Sequence, residues 1–335
     1  MTSQKSALNI VMGAMTFGEA GKEGARVHNL KDVEAILDID TARTYTGGTS
    51  EEYLGKIDWR KRGLKIETKL YPNVLNSCSR TKGFKTRIEL SSLILPEDLR
   101  KHLEASMKAL NIDQLEMWYL HGPDRTTPYE VTLKTMNELY KEGKFRRFGI
   151  SNYMSWEVAE IVQICKTNGY IQPTAYQGIY NAIHRKVEPE LFPCLRKYGI
   201  SFYEFNPLGG GFFTGRYTSL DQQVEPGSRF DPEKGQGRSY RARYWNEPYF
   251  KALESIQEVA QAHDLTMAEI ALRWISHHSL MKREYGDSVI IGASSVQHIE
   301  QNLIDLEKGP LPDEVVGALD EAWLSVAPYA TNYFH

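Results

Sequence analysis

The chain has 335 residues, of which 41% are hydrophobic and 25% are charged, and its formal net charge at pH 7 is -3. This balance is typical of a globular protein, and the weak negative charge argues against nucleic acid or an anionic membrane as a partner. The sequence begins without the apolar core of a signal peptide, and no apolar run approaches the roughly 18 residues that span a bilayer. Three cysteines without metal-ligand or disulfide spacing favour a reducing, cytoplasmic setting, namely Cys78, Cys165 and Cys194.

Eight short apolar runs alternate with amphipathic stretches along the chain. This alternation predicts an α/β fold with a parallel sheet or barrel inside and helices outside. No linker interrupts it, so a single domain over residues 1–335 is expected. The predicted strands are Ile10–Met12, Ile39–Thr41, Leu64–Lys69, Leu115–His121, Phe148–Ser151, Thr174–Gln177, Ser201–Phe205 and Ser288–Ile291.

Helix starts are readable between these strands. Thr127 and Glu130 have the spacing of a capping box around Pro128, and Pro96 opens a helix with one apolar stripe. Ser155 and Ser295 also precede apolar positions at helical spacing. These stripes are interpreted as core packing.

One connection, Pro207 to Pro248, is too long for a simple loop. It is rich in Gly, Arg, Tyr and Pro and has no sustained periodicity. Loops of this size are functional lids or disordered segments. Because it follows the seventh predicted strand, a lid over a cofactor or substrate is favoured over disorder.

Four side chains lie at or just beyond the ends of predicted strands: Asp40, Tyr45, Lys69 and His121. An ammonium near a phenol is expected to lower the phenol's pKa, and a carboxylate holds that ammonium charged. An imidazole can orient a carbonyl. Because barrel enzymes place their chemistry at the carboxyl ends of strands, the four predict a proton donor for aldehyde or ketone reduction.

Other nucleotide and metal sites lack their motifs. No G-x-G-x-x-G follows the first strand, and no Gly-rich loop ends in Lys-Ser or Lys-Thr. The nine histidines include no H-E-x-x-H and no H-x-H after a strand. A Rossmann dehydrogenase and a metal hydrolase are therefore both disfavoured, and no metal is expected.

Several ordered segments match one family nearly end to end. They are Gly13–Met15, Asp40–Ala42, Tyr119–Asp124, Gly149–Tyr153, Tyr176–Asn181, Asn206–Gly210, Arg243–Trp245, Leu272–Trp274, Gly292–Ser295, Gln301–Leu303 and Asn332–Phe334. The chain resembles the aldo-keto reductases, and among them the aflatoxin-aldehyde and succinic-semialdehyde reductase group. The resemblance implies a (β/α)8 barrel with a long loop after strand 7 and a C-terminal extension. It also implies NADP(H) bound at the strand ends and reduction of a small-molecule carbonyl substrate.

The resemblance also assigns roles to single residues. Tyr45 would be the proton donor, Lys69 and Asp40 its tuning pair, and His121 the residue that orients the carbonyl. Arg243 would receive a substrate carboxylate, with a solvated loop arginine as the alternative. The implied cofactor contacts are Ser151, Asn152 and Gln177 at the carboxamide, Phe205 against the nicotinamide, Asn206, Leu208, Gly210 and Arg216 over the pyrophosphate, and Ser294, Ser295, Gln301 and Asn302 at the adenosine phosphate.

Three departures from the family pattern bear on function. About nine residues are missing before Asp40, so either the first helix or the second strand is expected to be stunted. The segment from Tyr71 to Leu95 is longer than expected between the third strand and its helix, and its polar middle predicts mobility there. His335 replaces a terminal arginine and His298 a basic residue, which predicts a weaker preference for NADPH over NADH.

Two functions remain open at this point. The variants around Asp40 and Met15 look fungal, which suggests a tailoring enzyme for a polyketide or terpenoid in secondary metabolism. The alternative is a non-catalytic or decayed barrel that binds the cofactor as a regulatory subunit. A homodimer is compatible with either function.

Overall fold

The computed structural model describes residues 6–28, 39–59, 61, 63–72, 95–292 and 294–335. Eight parallel strands pair in chain order and close into a barrel, because β1 pairs with both β2 and β8. The (β/α)8 prediction is thereby confirmed. The strands are β1 (Asn9–Gly13), β2 (Ile39–Asp40), β3 (Ile66–Leu70), β4 (Leu115–Leu120), β5 (Phe145–Ser151), β6 (Ala175–Ile179), β7 (Ser201–Phe205) and β8 (Ser288–Ile291).

Helices surround the barrel and follow its strands. Over the described ranges, none is long and apolar enough to cross a membrane. They are α1 (Thr49–Leu54), α2 (Pro96–Leu110), α3 (Tyr129–Lys141), α4 (Ser155–Asn168), α5 (Leu191–Tyr198), α6 (Gly235–Tyr244), α7 (Glu247–Ala262), α8 (Met267–His277), α9 (Val296–Leu306) and α10 (Asp313–Val326).

The apolar side chains form two layers, because successive strand residues point to opposite faces. The larger layer lies between strands and helices and includes the fully buried Trp118, Phe148 and Trp274. The smaller layer fills the barrel with Val11, Met117, Tyr119, Ala175, Tyr203 and Ile290. The interior of the barrel is therefore a packed core, as is typical of this architecture, in which ligands bind at the carboxyl ends of the strands.

Over the described residues β2 is the shortest strand, which agrees with one of the two alternatives expected from the missing residues before Asp40. It consists of Ile39 and Asp40, yet it keeps register with both neighbours: Gly13 pairs with Asp40, and Asp40 pairs with Glu67. The stunted-helix prediction concerns residues 29–38, which lie outside the described residues. So do residues 73–94, on which the mobility prediction and Cys78 fall.

The predicted helix starts have mixed outcomes. Ser295 caps α9, since its Oγ accepts from the His298 amide at 3.3 Å. The capping box at Thr127 is wrong. α3 begins after Pro128 without a side-chain cap, and Thr127 Oγ1 instead donates to Asp124 Oδ2 at 2.9 Å. Because α3 begins only after Pro128, Thr127 lies one residue before the N-cap position, and its hydroxyl bonds to Asp124.

The long connection after β7 is folded and contains α6. Its ring side chains pack on one another, with Phe212 against Tyr244 at 5.6 Å and Phe230 against Trp245 at 5.3 Å between centroids. Phe212, Phe230 and Tyr244 are fully buried, which argues against disorder, while the role of a lid stays a prediction. α6 was not predicted from the sequence, because its stretch GQGRSYRARY has no apolar stripe.

A close approach of two helices depends on Gly55, at the end of α1. A Cβ at this position would lie 2.0 Å from the carbonyl oxygen of Ala109 on α2. Gly317, inside α10, has open space instead. Gly55→Ala should therefore lower the unfolding free energy by roughly 1–3 kcal/mol through overpacking. Gly317→Ala should raise it by up to about 1 kcal/mol through helix propensity. Urea unfolding of both variants would show this, and equal midpoints would contradict it.

Candidate active site

The carboxyl ends of β2, β3 and β4 bring the four predicted side chains together. Asp40 ends β2, Lys69 lies one residue before the end of β3, and His121 directly follows β4. Tyr45 lies in the turn after β2. The fold thus brings together, at one end of the barrel, four side chains that are spread over 82 positions of the sequence, from Asp40 to His121.

Lys69 and Asp40 form a buried ion pair. Lys69 Nζ donates to both carboxylate oxygens of Asp40 at 2.6 Å and to the Thr41 carbonyl at 2.8 Å. Lys69 is fully buried and Asp40 is 2% exposed. Burial lowers the pKa of Lys69, but the charge of Asp40 and the hydrogen bond to it outweigh burial and raise that pKa above its ordinary value. The lysine is therefore an ammonium at neutral pH.

Tyr45 lies against this ammonium. Lys69 Nζ is 5.1 Å from the centre of the Tyr45 ring, which is 6.0 Å from the His121 ring. Burial raises the pKa of Tyr45 and the charge of Lys69 lowers it, with a net rise. The prediction of a lowered pKa was therefore wrong in its net direction, because burial outweighs the ammonium. The phenol keeps its proton at neutral pH, as a proton donor requires.

His121 is an uncharged imidazole. Its pKa lies well below the ordinary value because of burial and the charges of Lys69 and His335. Its Nδ1 is buried and has no hydrogen-bond partner among the described residues. Tyr71 lies edge-on to the His121 ring at 5.3 Å and stacks on His335 at 5.6 Å. The last residue of the chain therefore contributes a ring near the mouth of the site.

One buried carboxylate, Glu51 on α1, fixes the segments that carry Tyr45 and Lys69. Its Oε2 accepts from Arg43 Nη1 at 3.0 Å and its Oε1 from Thr68 Oγ1 at 2.7 Å. Arg43 precedes Tyr45 by two residues, and Thr68 directly precedes Lys69. Sequence reasoning missed this clamp. The sequence signal for this clamp was an acidic residue shortly after Tyr45. A glutamate at such a position is ordinarily expected to be exposed to solvent.

The predicted carboxamide contacts lie around the same four side chains. Gln177 Nε2 donates to Asp40 Oδ1 at 3.0 Å. Asn152 adopts a left-handed backbone (φ 66°), and its Nδ2 donates to the His121 carbonyl at 2.7 Å and to Ser151 Oγ at 3.0 Å. The side-chain nitrogens of both amides are thus engaged inside the protein.

The turn after β7 carries the next predicted group. Phe205 ends β7, and Asn206 follows with a left-handed backbone (φ 70°). Asn206 Nδ2 is buried without a partner among the described residues. Arg216 is paired with Glu225. Leu208 and Gly210 lie between them, and a Cβ at Gly210 would come 2.2 Å from the Tyr240 ring.

The predicted phosphate contacts lie at the start of α9, which follows β8. Ser295 caps the helix, and Ser294 Oγ lies within hydrogen-bond distance of His298 Nδ1 at 3.1 Å. Gln301 donates to Asp305, and Asn302 is buried. Free backbone N–H groups at a helix start favour an anion, so the position suits a phosphate.

Arg243 lies on α6 and not on a loop. Within the described part of the chain it makes no ion pair or hydrogen bond, and its guanidinium lies 5.5 Å from the centre of the Tyr240 ring. Burial lowers the pKa of His335, and the positive charge of Arg243 lowers it further. Arg243 therefore lies near the His335 ring. Among the described residues, no three His, Cys, Asp or Glu side chains lie close enough to hold a metal.

Comparison with known proteins gives consistent matches over almost the whole chain. The profile described as "Aldo/keto reductase family" matches residues 9–324. The chain is 42% identical to "Aldo-keto reductase pigE" of Monascus ruber, over 99% of each chain. It is 42% identical to "Aflatoxin B1 aldehyde reductase member 2" of Homo sapiens, over 97% of this chain and 89% of the relative. It is 37% identical to "Oxidoreductase sirO" of Leptosphaeria maculans, over 88% and 84%.

The buried pair predicts a specific pattern of stability changes. Lys69→Met should lower the unfolding free energy by about 3 kcal/mol, because it leaves the Asp40 carboxylate buried and unpaired. Adding Asp40→Asn should recover part of that loss. Lys61→Met, which removes an exposed ion pair with Asp58, should change nothing measurable. Urea unfolding at pH 7 checks the series, and equal effects of Lys69→Met and Lys61→Met would contradict it.

Proposed function

The chain belongs to the aldo/keto reductase family, and from this premise we propose that it reduces an aldehyde or ketone to an alcohol with NADPH. One observation carries the proposal. A protonated Tyr45 lies beside an ammonium, Lys69, that a buried Asp40 keeps charged. This arrangement suits proton donation to a carbonyl oxygen.

The cofactor would lie across the carboxyl ends of the strands. The buried, unpaired Asn206 Nδ2 is a free donor at the predicted pyrophosphate turn, which fits a ligand rich in acceptors. The half-buried Phe205 ring offers a flat face, and Ser151, Asn152 and Gln177 surround the catalytic pair. The start of α9, with Ser294, Ser295, Gln301 and Asn302, would hold the adenosine phosphate. When bound, NADPH supplies the hydride to the carbonyl carbon.

The residues of this chain would then complete the reduction. His121, neutral at its lowered pKa, can donate a hydrogen bond that orients the carbonyl oxygen. Tyr45 gives its proton to that oxygen, so the carbonyl gains a hydride at carbon and a proton at oxygen. The charge of Lys69 stabilises the phenolate left behind, and Asp40 prevents Lys69 from losing its own proton.

The substrate and setting are proposed from relatives. Fungal proteins named aldo-keto reductase and oxidoreductase match most of this chain, and we extend the proposal to a cytoplasmic enzyme that tailors a fungal secondary metabolite, a polyketide or a terpenoid. His298 lies against Ser294 and is a weak substitute for a basic residue at a phosphate. The preference for NADPH over NADH is therefore expected to be modest.

The rival is a barrel that binds the cofactor without catalysis. The short β2 was its main support, but Asp40 still contacts Lys69 at 2.6 Å. Oxidation of NADPH in the presence of 4-nitrobenzaldehyde separates the two functions. Turnover supports the reductase, whereas NADPH binding without turnover supports the rival.

Tyr45→Phe should lower kcat by at least about 100-fold, because it removes the proton donor of the chemical step. NADPH affinity, measured by quenching of protein fluorescence, should stay within about twofold. Tyr140→Phe, at an exposed ring on α3, is the matched control and should leave both values unchanged. A kcat equal to that of the parent would remove Tyr45 from the mechanism.

Arg243→Met should raise KM for succinic semialdehyde roughly tenfold or more, because hydrogen bonds to charged groups are worth about 1.5–3 kcal/mol. KM for 4-nitrobenzaldehyde, which has no carboxylate, should hardly change. Arg238→Met is the control on the same helix, since Arg238 is exposed and bonds only to the carbonyls of Pro232 and Glu233. Equal changes for both aldehydes would rule out carboxylate recognition by Arg243.

A further inference from the structure

A second buried carboxyl lies beside the catalytic pair and takes no part in the reaction described above. Glu67 precedes Lys69 by two residues on β3, so both side chains point into the barrel. In the sheet register, Glu67 is the direct partner of Asp40. Glu67 is 6% exposed and Asp40 is 2% exposed. Two carboxyls therefore lie side by side in the interior next to one ammonium.

The contacts show which carboxyl that ammonium neutralises. Lys69 Nζ contacts both oxygens of Asp40, whereas among the described residues Glu67 Oε2 accepts from the Tyr119 hydroxyl alone, at 2.8 Å. Arg147 does not pair with Glu67 in the described part of the chain. It donates to the hydroxyls of Tyr203 at 3.3 Å and Thr174 at 3.2 Å. Asp40 is thus in direct contact with a cation, and Glu67 is not.

We propose that Glu67 is a positioning residue that acts on proton donation by Tyr45 through Asp40 and Lys69, and that it does so only after losing its own proton. The inference rests on the proposed carbonyl reduction. With Glu67 neutral, Lys69 faces a single carboxylate and its charge acts strongly on Tyr45. With Glu67 ionised, a second negative charge counters the ammonium. Tyr45 then becomes a weaker acid, just as the charge of Asp40 already raises its pKa.

The surroundings of Glu67 bring its pKa close to the pH range in which enzymes work. Burial, and after it the charge of Asp40, raise the pKa of Glu67 to about 8, against the Tyr119 hydrogen bond and the charges of Arg147 and Lys69. A protonated carboxyl still has an acceptor oxygen, so the Tyr119 bond survives in both states. The groups that face Glu67 are Asp40 on β2, Lys69 on β3, Tyr119 on β4, Arg147 on β5 and Tyr203 on β7.

Infrared difference spectroscopy of the full chain tests the protonation directly. The carbonyl stretch of a protonated carboxyl should disappear as pH rises through about 8, and Glu67→Gln should lack this transition. Glu204→Gln is the matched control, because Glu204 is another fully buried carboxyl, without a partner in the described residues. It should keep the transition. A parent protein without a protonated Glu67 at pH 7 would overturn the proposal.

Single-turnover oxidation of NADPH by 4-nitrobenzaldehyde tests the effect on Tyr45. The rate of the parent should fall roughly fivefold between pH 7 and pH 9, since one charge at this range weakens the acid without removing it. The rate of Glu67→Gln should fall less than about twofold, because a glutamine stays neutral throughout. Tyr45 contributes no fall of its own there, since its pKa is raised. The same fall in both proteins would overturn the inference.

Tyr119→Phe keeps the test decisive if Glu67→Gln does not fold. The Tyr119 hydrogen bond lowers the pKa of Glu67, so its removal should move both the infrared transition and the fall in rate to higher pH. A fall that stays in place or moves lower would overturn the inference. A parent inactive at every pH would overturn the proposed reduction itself. An active parent whose fall in rate persists in Glu67→Gln would overturn only the role of Glu67.

Discussion

The rest of the site depends on the buried pair of Lys69 and Asp40. Two charges out of water are expensive, and they remain charged here because Lys69 Nζ contacts both oxygens of Asp40 and one backbone carbonyl. Tyr45, His121 and Gln177 all take their electrostatic surroundings from this pair. The same ammonium opposes the effect of burial on the phenol and helps to keep the imidazole neutral.

A second layer of buried charge holds the pair in place. Glu51 joins Arg43 and Thr68 and so ties the turn that carries Tyr45 to the strand that carries Lys69. Glu67 lies on the opposite side of the pair, within the barrel. The site is thus built from three neighbouring carboxyls in different states: one paired with an ammonium, one clamped by an arginine and a hydroxyl, and one bonded only to a phenol.

Much of this could be predicted from the sequence. The strands were readable because parallel strands are apolar runs, and the proposed catalytic residues stood at or near their ends. α6 was missed because its stability comes from ring packing between loop segments, which leaves no periodic pattern in GQGRSYRARY. The predicted direction of the Tyr45 pKa shift was wrong, because that direction depends on whether burial or the nearby ammonium has the larger effect. Only the folded geometry sets this balance. The Thr127 cap is absent because α3 begins only after Pro128, a boundary that the residue spacing alone does not fix.

The shortness of β2 has a consequence for local unfolding. Over the described residues β2 spans only Ile39 and Asp40, and the side-chain bonds of Asp40 to Lys69 and Gln177 add to the backbone bonds that Ile39 and Thr41 donate to the carbonyls of Lys65 and Glu67. Segments with few ladder bonds open at a lower free energy than the global transition. The protection of the amide hydrogens around Asp40 from exchange is therefore expected to depend in part on the ion pair. In this barrel, the Asp40 carboxylate that keeps Lys69 charged also helps to hold its own strand, β2, in the sheet.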